Sequence, residues 1–409
     1  MADWQRRSVL ATGATLSAGG ILASIGSGAA SSQDDDDSFE GPSGWSSYGA
    51  NTGNSRYVPT ENGFSSPDRI DWQYEESGSL VATSEMVFLR TGEGVHALDA
   101  ESGTCAWTCE KVHATGTPAV GNGTVYVVGS QLTAIDAESG EVQWSEQFGD
   151  EASTSEPVAA FGSVYVTVDG ALYAFAEADG SLQWKCESVG VTPKQGGADE
   201  IRYVFSTRAS AVVAVDNTVW ALLDGRASEG SVDADAVVAF DPQAGTTRRA
   251  DQLNDGDFAA GLAATDEALF VENSGEEGVT GLENGTDCQR FVSDALTTAA
   301  VGSLSVTRGR YELKMTGPES SWCKTGAHSY GPPAIIDGTV VVAHSNPGSS
   351  DPDKIVGYCL EDGCEEWCFT FDDTQWNDGF NEECIVTEDA VYVSRDEGLT
   401  ALCPHGKHS

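Results

Sequence analysis

Cys359, Cys364 and Cys368 bring three thiols into one ten-residue stretch, and sulfur at such spacing can hold a metal or form a cross-link. Zinc sites usually pair cysteines as CxxC with histidine nearby, and neither feature accompanies these three. Cys359 and Cys364 instead flank Leu360-Glu361-Asp362-Gly363, a turn that would set them opposite each other in a hairpin, where a disulfide can close. Of the ten cysteines, Cys105 and Cys109 share one strand and stand too far apart to bond to each other. Cys186, Cys288, Cys323, Cys368, Cys384 and Cys403 have no assignable partner. The six histidines are scattered at positions 96, 113, 328, 344, 405 and 408, and no GxSxG elbow or HExxH helix is present. Asp372-Asp373 could serve acid–base chemistry, but adjacent carboxylates carry little weight in a chain with 64 acidic residues. Trp376, Asn377 and Asp378 offer an aromatic plate, an amide and a carboxylate side by side, a set suited to gripping a peptide or a sugar.

What positions these groups is a repeat. Leu98-Asp99-Ala100-Glu101-Ser102-Gly103 leads to Trp107, Ile135-Asp136-Ala137-Glu138-Ser139-Gly140 to Trp144, and Phe175-Ala176-Glu177-Ala178-Asp179-Gly180 to Trp184. Worn copies end at Gly245, at Gly285, and at Gly363 with Trp367. Gly103, Gly140 and Gly180 stand 37 and 40 residues apart, and periods near 40 residues built from short β-runs indicate propeller blades. Within one period, Pro118-Ala119-Val120, Thr124–Val128, Leu132–Ile135 and Val142–Ser145 read as four strands. The repeat Asp can bond backbone N–H groups just ahead of it, Gly supplies a positive φ, and Trp is a plate suited to docking between blades. Asp99, Gly103, Trp107, Asp136, Gly140, Trp144, Gly180, Trp184, Gly363 and Trp367 are therefore read as structural.

The repeat resembles the pyrroloquinoline-quinone (PQQ) propeller repeat, a strand ending Ala-Leu-Asp followed by a Gly turn and a Trp. Trp45-Ser46-Ser47-Tyr48-Gly49-Ala50-Asn51 with Ser55-Arg56-Tyr57 also looks like the start of that family. The likeness is sharp in the first three repeats; Arg249 replaces Trp in the fourth, and the fifth lacks one. The expectation is an all-β, single eight-bladed propeller of four-stranded antiparallel blades, at 78–110, 111–149, 150–188, 200–252, 255–294, 295–325, 326–371 and a split blade. That last blade would join 383–403 to Arg69–Tyr74, so that an N-terminal strand closes the ring and removes two open edges. Seven blades are the alternative, because the sixth repeat is degenerate. Four long connections, at 188–202, 222–235, 345–354 and 371–382, should share one rim, where binding loops usually lie.

Residues 1–30, with Arg6-Arg7 ahead of a Gly/Ala-rich apolar stretch, resemble a twin-arginine export signal. Residues 31–42 read as an acidic disordered linker, and 43–409 as the propeller. An exported chain would meet an oxidising compartment and form disulfides. The net charge of −43, spread over every blade, resembles that of haloarchaeal proteins and is screened in molar salt. It argues against a nucleic-acid partner, which requires clustered Lys and Arg.

The PQQ resemblance implies two functional classes. One is a PQQ- and calcium-dependent quinoprotein dehydrogenase or redox carrier. Those enzymes are much longer, many carry adjacent cysteines against the quinone, and no Cys-Cys pair or evident calcium constellation occurs here. The other is a non-catalytic interaction scaffold, similar in plan to the propeller lipoprotein of the outer-membrane assembly machinery. The sequence favours the second: a monomeric, exported binding protein at the cell surface. Its partner would be a protein or a glycan, and it would touch the membrane only through an uncleaved signal segment.

Overall fold

Short apolar runs broken by Gly-rich turns build strands throughout, and no helix forms among the described residues. This computed structural model describes residues 44–404, except 62, 111, 195–199, 229–233, 254–257, 274–278, 284–287, 292–296, 310, 319, 346–351, 373–383 and 396–397; over 273, 279–283 and 288–291 it describes the backbone alone.

The strands form eight sheets. The first runs Ser79–Thr83, Met86–Arg90, Gly94–Asp99 and Cys105–Glu110; the second Ala119–Gly121, Thr124–Val128, Gln131–Asp136 and Val142–Gln147; the third Val158–Ala160, Ser163–Val168, Ala171–Ala176 and Leu182–Cys186. The fifth and sixth repeat the plan over residues 259–291 and 297–325, and the seventh is built on Ala334–Ile336, Thr339–Ser345, Lys354–Cys359 and Glu365–Thr370. The eighth joins Cys384–Val386, Val391–Arg395 and Gly398–Cys403 to Arg69–Tyr74, with Arg69 opposite Cys403. The split blade expected from the sequence is present.

The fourth sheet spans the expected 200–252 and adds a strand ahead of it. Its inner strand is Val212–Val215, and Thr218–Asp224, Ala236–Phe240 and Thr247–Gln252 complete the four-stranded plan. Val189–Val191 and Ile201–Phe205 form a hairpin, and Val204 and Phe205 pair with Asp224 and Leu223. The stretch read as a long connection therefore extends a sheet edge at both of its ends. Its alternating Ile201-Arg202-Tyr203-Val204-Phe205 carries the strand pattern.

Neighbouring sheets are joined by the repeat residues. Trp107 Nε1 donates to Ala137 O at 3.0 Å and Trp144 Nε1 to Glu177 O at 2.9 Å; Trp72, Trp184 and Trp322 do the same to Ala100, Pro242 and Leu360. Each ring lies on the turn glycine of the next sheet: Trp72 on Gly103, Trp107 on Gly140, Trp144 on Gly180, Trp184 on Gly245 and Trp322 on Gly363. Fully burying such a ring, roughly 150–250 Å² at about 25 cal/mol/Å², would stabilise by roughly 4–6 kcal/mol. The split blade keeps this rule because its N-terminal strand supplies Trp72. Trp367 departs from it, packing on Phe64 at 6.1 Å between ring centroids. The repeat aspartates close their turns as expected: Asp99 Oδ1 accepts from Ser102 N and Asp136 Oδ1 from Ser139 N, both at 2.8 Å. The Ser102 and Ser139 hydroxyls donate to the same oxygens and, together with these N–H bonds, hold both carboxyls below the usual range.

Candidate binding site

The inner strands of the eight sheets succeed one another around a channel. From the second sheet round to the first, each touches the next. Gly44–Trp45 pairs with the inner strand of the first sheet, and Ser46 O accepts from Val120 N of the second at 2.7 Å.

That contact begins a plug. Residues 44–58 cross the channel end and bond to one inner strand after another. Ala214 N donates to Thr52 O at 2.8 Å, Ala264 N to Gly53 O at 2.6 Å, Ala300 N to Ser55 O at 2.7 Å and Ile335 N to Arg56 O at 2.8 Å. Tyr57–Val58 then pairs in parallel with Ala334–Ile336. The segment folds this way because its Asn, Ser and Gly residues turn tightly: Asn51 Oδ1 accepts from Gly53 N and Ser55 N, and Asn54 Nδ2 donates to Val212 O. Ala214, Ala264 and Ala300 lie in the C-terminal half of their inner strands, and Val120 and Ile335 at the middle of theirs. The repeat turns lie on the same side, since Ala137 N bonds Gly123 O and Leu360 N bonds Gly338 O. The plug thus closes the short-turn face, and the channel mouth lies on the opposite face. The described ends of all four long connections reach that mouth face.

Ionisable side chains gather toward the mouth. Arg308 Nη1 donates to Tyr330 O at 2.8 Å, and the Arg395 guanidinium lies 3.8 Å from the Phe371 ring centroid. Asp235, fully buried, accepts from Gly225 N at 2.8 Å and Ala259 N at 2.9 Å and has Arg208 at 3.7 Å. Glu272 accepts from Thr298 N at 2.7 Å, and Arg56 and Arg308 stand near it. Burial pushes both carboxyls up against these bonds and cations, which pull them down.

This donor set does not suit calcium beneath a quinone. A hard cation wants six to eight oxygens, whereas Glu272 and Asp235 are each answered by arginine and backbone N–H. Among the described residues, no three His, Cys, Asp or Glu side chains converge for a metal.

The expected site residues fare differently. Of the repeat residues, Trp107, Trp144 and Trp184 lie on turn glycines of the next sheet, whereas Trp367 packs on Phe64. Trp376, Asn377, Asp378, Arg6 and Arg7 lie outside the described residues. Cys359 and Cys364 do face each other, with Cys359 N donating to Cys364 O at 2.8 Å, but the structure carries both as thiols, so the expected disulfide is not the state described. The sequence reading missed His328 and His344, taken there as scattered. Strand register sets Tyr330 opposite His344 and His344 opposite Lys354, and the two imidazoles stack at 4.0 Å. The available signal was positional: 340, 342 and 344 share one face of a strand.

The model of the family described as outer membrane protein assembly factor BamB matches residues 91–367. The chain belongs to that PQQ-repeat propeller family. Among solved structures it is similar to quinohemoprotein alcohol dehydrogenase from Comamonas testosteroni, with TM-score 0.62, 13% identity, and 90% of this chain and 81% of that chain covered. It is also similar to BamB from Moraxella catarrhalis, with TM-score 0.56, 14% identity and coverage of 82% and 98%. A europium-containing methanol dehydrogenase gives TM-score 0.60, 12% identity and coverage of 88% and 90%. No curated protein matches the chain in sequence. At these identities the likeness fixes the fold, and the same fold serves both a BamB and the dehydrogenases.

Proposed function

We propose that this chain is an exported, non-catalytic member of the BamB-like family that binds a protein or glycan of the cell surface through its channel-mouth face. One observation carries the reading: the channel is closed at one end by residues 44–58, and the carboxylates toward the other end are already matched by arginine and backbone N–H. What remains to vary is the rim, onto which all four long connections open. Loops on a rigid ring are a common place for recognition. Arg6-Arg7 and the apolar stretch behind them support export by the twin-arginine route. The spread of negative charge supports a salt-rich exterior and no nucleic-acid partner.

The test is a titration of purified protein in molar salt with PQQ and calcium, followed by absorbance and melting temperature. The scaffold reading expects neither spectral change nor stabilisation. Saturable binding with a rise in melting temperature would replace it with the quinoprotein reading. In parallel, removing residues 373–382, which contain Trp376, Asn377 and Asp378, while keeping the buried Phe371 should abolish cross-linking to host envelopes and leave the melting temperature unchanged.

A further inference from the structure

Between the sixth and seventh sheets a cleft of about 310 Å³ opens beside the stacked histidines. Strand pairing explains its walls. Tyr330, His344 and Lys354 form one row across the seventh sheet, Val342, Val356 and Cys368 the next, and Val340 with Tyr358 a third. Side chains in these rows share the face turned toward the sixth sheet, where Val340, Val342 and Val356 join a cluster with Leu313 and Met315. His328, just ahead of Ser329–Tyr330, lays its ring on His344 at 17° between planes, and Tyr330 sets its edge against both. Tyr358 Oη lies 3.3 Å from His344 Nε2. His328 Nε2 is buried without a hydrogen-bond partner among the described residues.

Buried polar atoms are normally paired, and among the described residues the His328 ring nitrogen next to this cleft is not. The charges are also unusual for this chain. It has only 21 basic residues against 64 acidic ones, yet Lys354 lines the cleft, and Lys324 reaches across from the sixth sheet to within 5.3 Å of the Tyr358 ring centroid. Glu365 lines the cleft too, but opposite Tyr358, four residues along the strand from Lys354 and so about 13 Å away. Lys354 stands at one end of the cleft, and at the other Glu365 and Lys324 both flank Tyr358.

We propose that this cleft binds a small planar carboxylate. Its carboxylate meets the Lys354 ammonium, and its flat apolar body lies along Val356, Pro352 and the aromatic edges beside His328 and His344. Lys354 is only partly exposed, so the contact is screened less in molar salt than a surface pair would be.

The probe is benzoate, titrated into the intact protein in molar potassium chloride and followed by NMR of the histidine ring protons. Two ring signals, assigned with His328→Phe and His344→Phe, should shift saturably together. Lys354→Met should weaken binding at least tenfold without moving the melting temperature, and Lys354→Arg should restore much of it. The proposal is overturned if benzoate shifts neither ring, if neutral benzyl alcohol binds equally well, or if Lys354→Met binds as the parent does. A drop in melting temperature for Lys354→Met together with failure of Lys354→Arg to rescue binding would assign Lys354 to structure and overturn it as well.

Discussion

Trp107 of the first sheet lies directly on Gly140 of the second: a Cβ built on that glycine would meet the indole Cδ2 at 2.7 Å, while the indole nitrogen bonds Ala137 O at 3.0 Å. The glycine is thus required twice, by its φ of +74° and by the ring above it. Gly140→Ala should cost about 2–4 kcal/mol, the sum of left-handed strain and overpacking. Gly123 has the same φ of +74° with nothing within 4 Å, so Gly123→Ala should cost only the strain, about 1–2 kcal/mol. Denaturant midpoints in molar salt compare the two; equal losses would remove the indole from the explanation.

The plug predicts a second effect. Trp45 is fully buried, with the Arg56 guanidinium 4.7 Å from its ring centroid. Trp45→Ala should lower stability by about 3–5 kcal/mol, and Trp45→Phe by clearly less. A Trp45→Ala protein that melts with the parent would show that residues 44–58 sit on the ring without bracing it.

The stacked histidines make stability depend on pH. Burial, then the neighbouring His328 and Lys354, press His344 down from 6.5 to about 3. Its ring is neutral in the fold but takes up a proton near pH 6.5 when unfolded. The contribution of neutral His344 is complete above pH 6.5 and is lost progressively as pH falls toward 3, at about 1.4 kcal/mol per pH unit at most. His328, Lys354, Tyr330 and Tyr358 face it and stay in place in His344→Phe. Unfolding free energies at pH 6.5, 5.5 and 4.5 should therefore fall less steeply in that variant; parallel curves would contradict the assignment.

Salt should act on the whole molecule. A net charge of −43 repels itself, and the Debye length falls from about 10 Å at 0.1 M to about 3 Å at 1 M. Melting temperature should climb steeply with potassium chloride over that range, and a flat response would break the link between acidity and a saline setting.

Oxidation should join Cys359 to Cys364, which the hairpin holds opposite each other. After mild oxidant treatment, blocking of free thiols and proteolysis, a peptide linked within 359–364 is expected. Free, alkylated Cys359 under those conditions would end the proposal.

The fold was readable where the repeat is strong. Asp99, Gly103 and Trp107 state turn chemistry and docking together, so the first three blades follow from local pattern alone. In the fourth, Ile201–Phe205 and Val212–Val215 both pair with Thr218–Asp224, and only that pairing decides which is innermost. The split blade was legible because Arg69–Tyr74 carries the outer-strand pattern with its Trp. The cleft was not: His328 and His344 meet through strand register, and a list of histidine positions holds no register.

The pairing of Arg69–Tyr74 with Gly398–Cys403 also governs when the molecule can be finished. The strand made first in the eighth sheet has no partner until the last strand is made, and nearly the whole chain separates them. Contacts of such long sequence separation close slowly. Until then, two sheet edges stand open and the Trp72 plate has lost its place in the ring. A chain of this design closes its ring only once Gly398–Cys403 has been made.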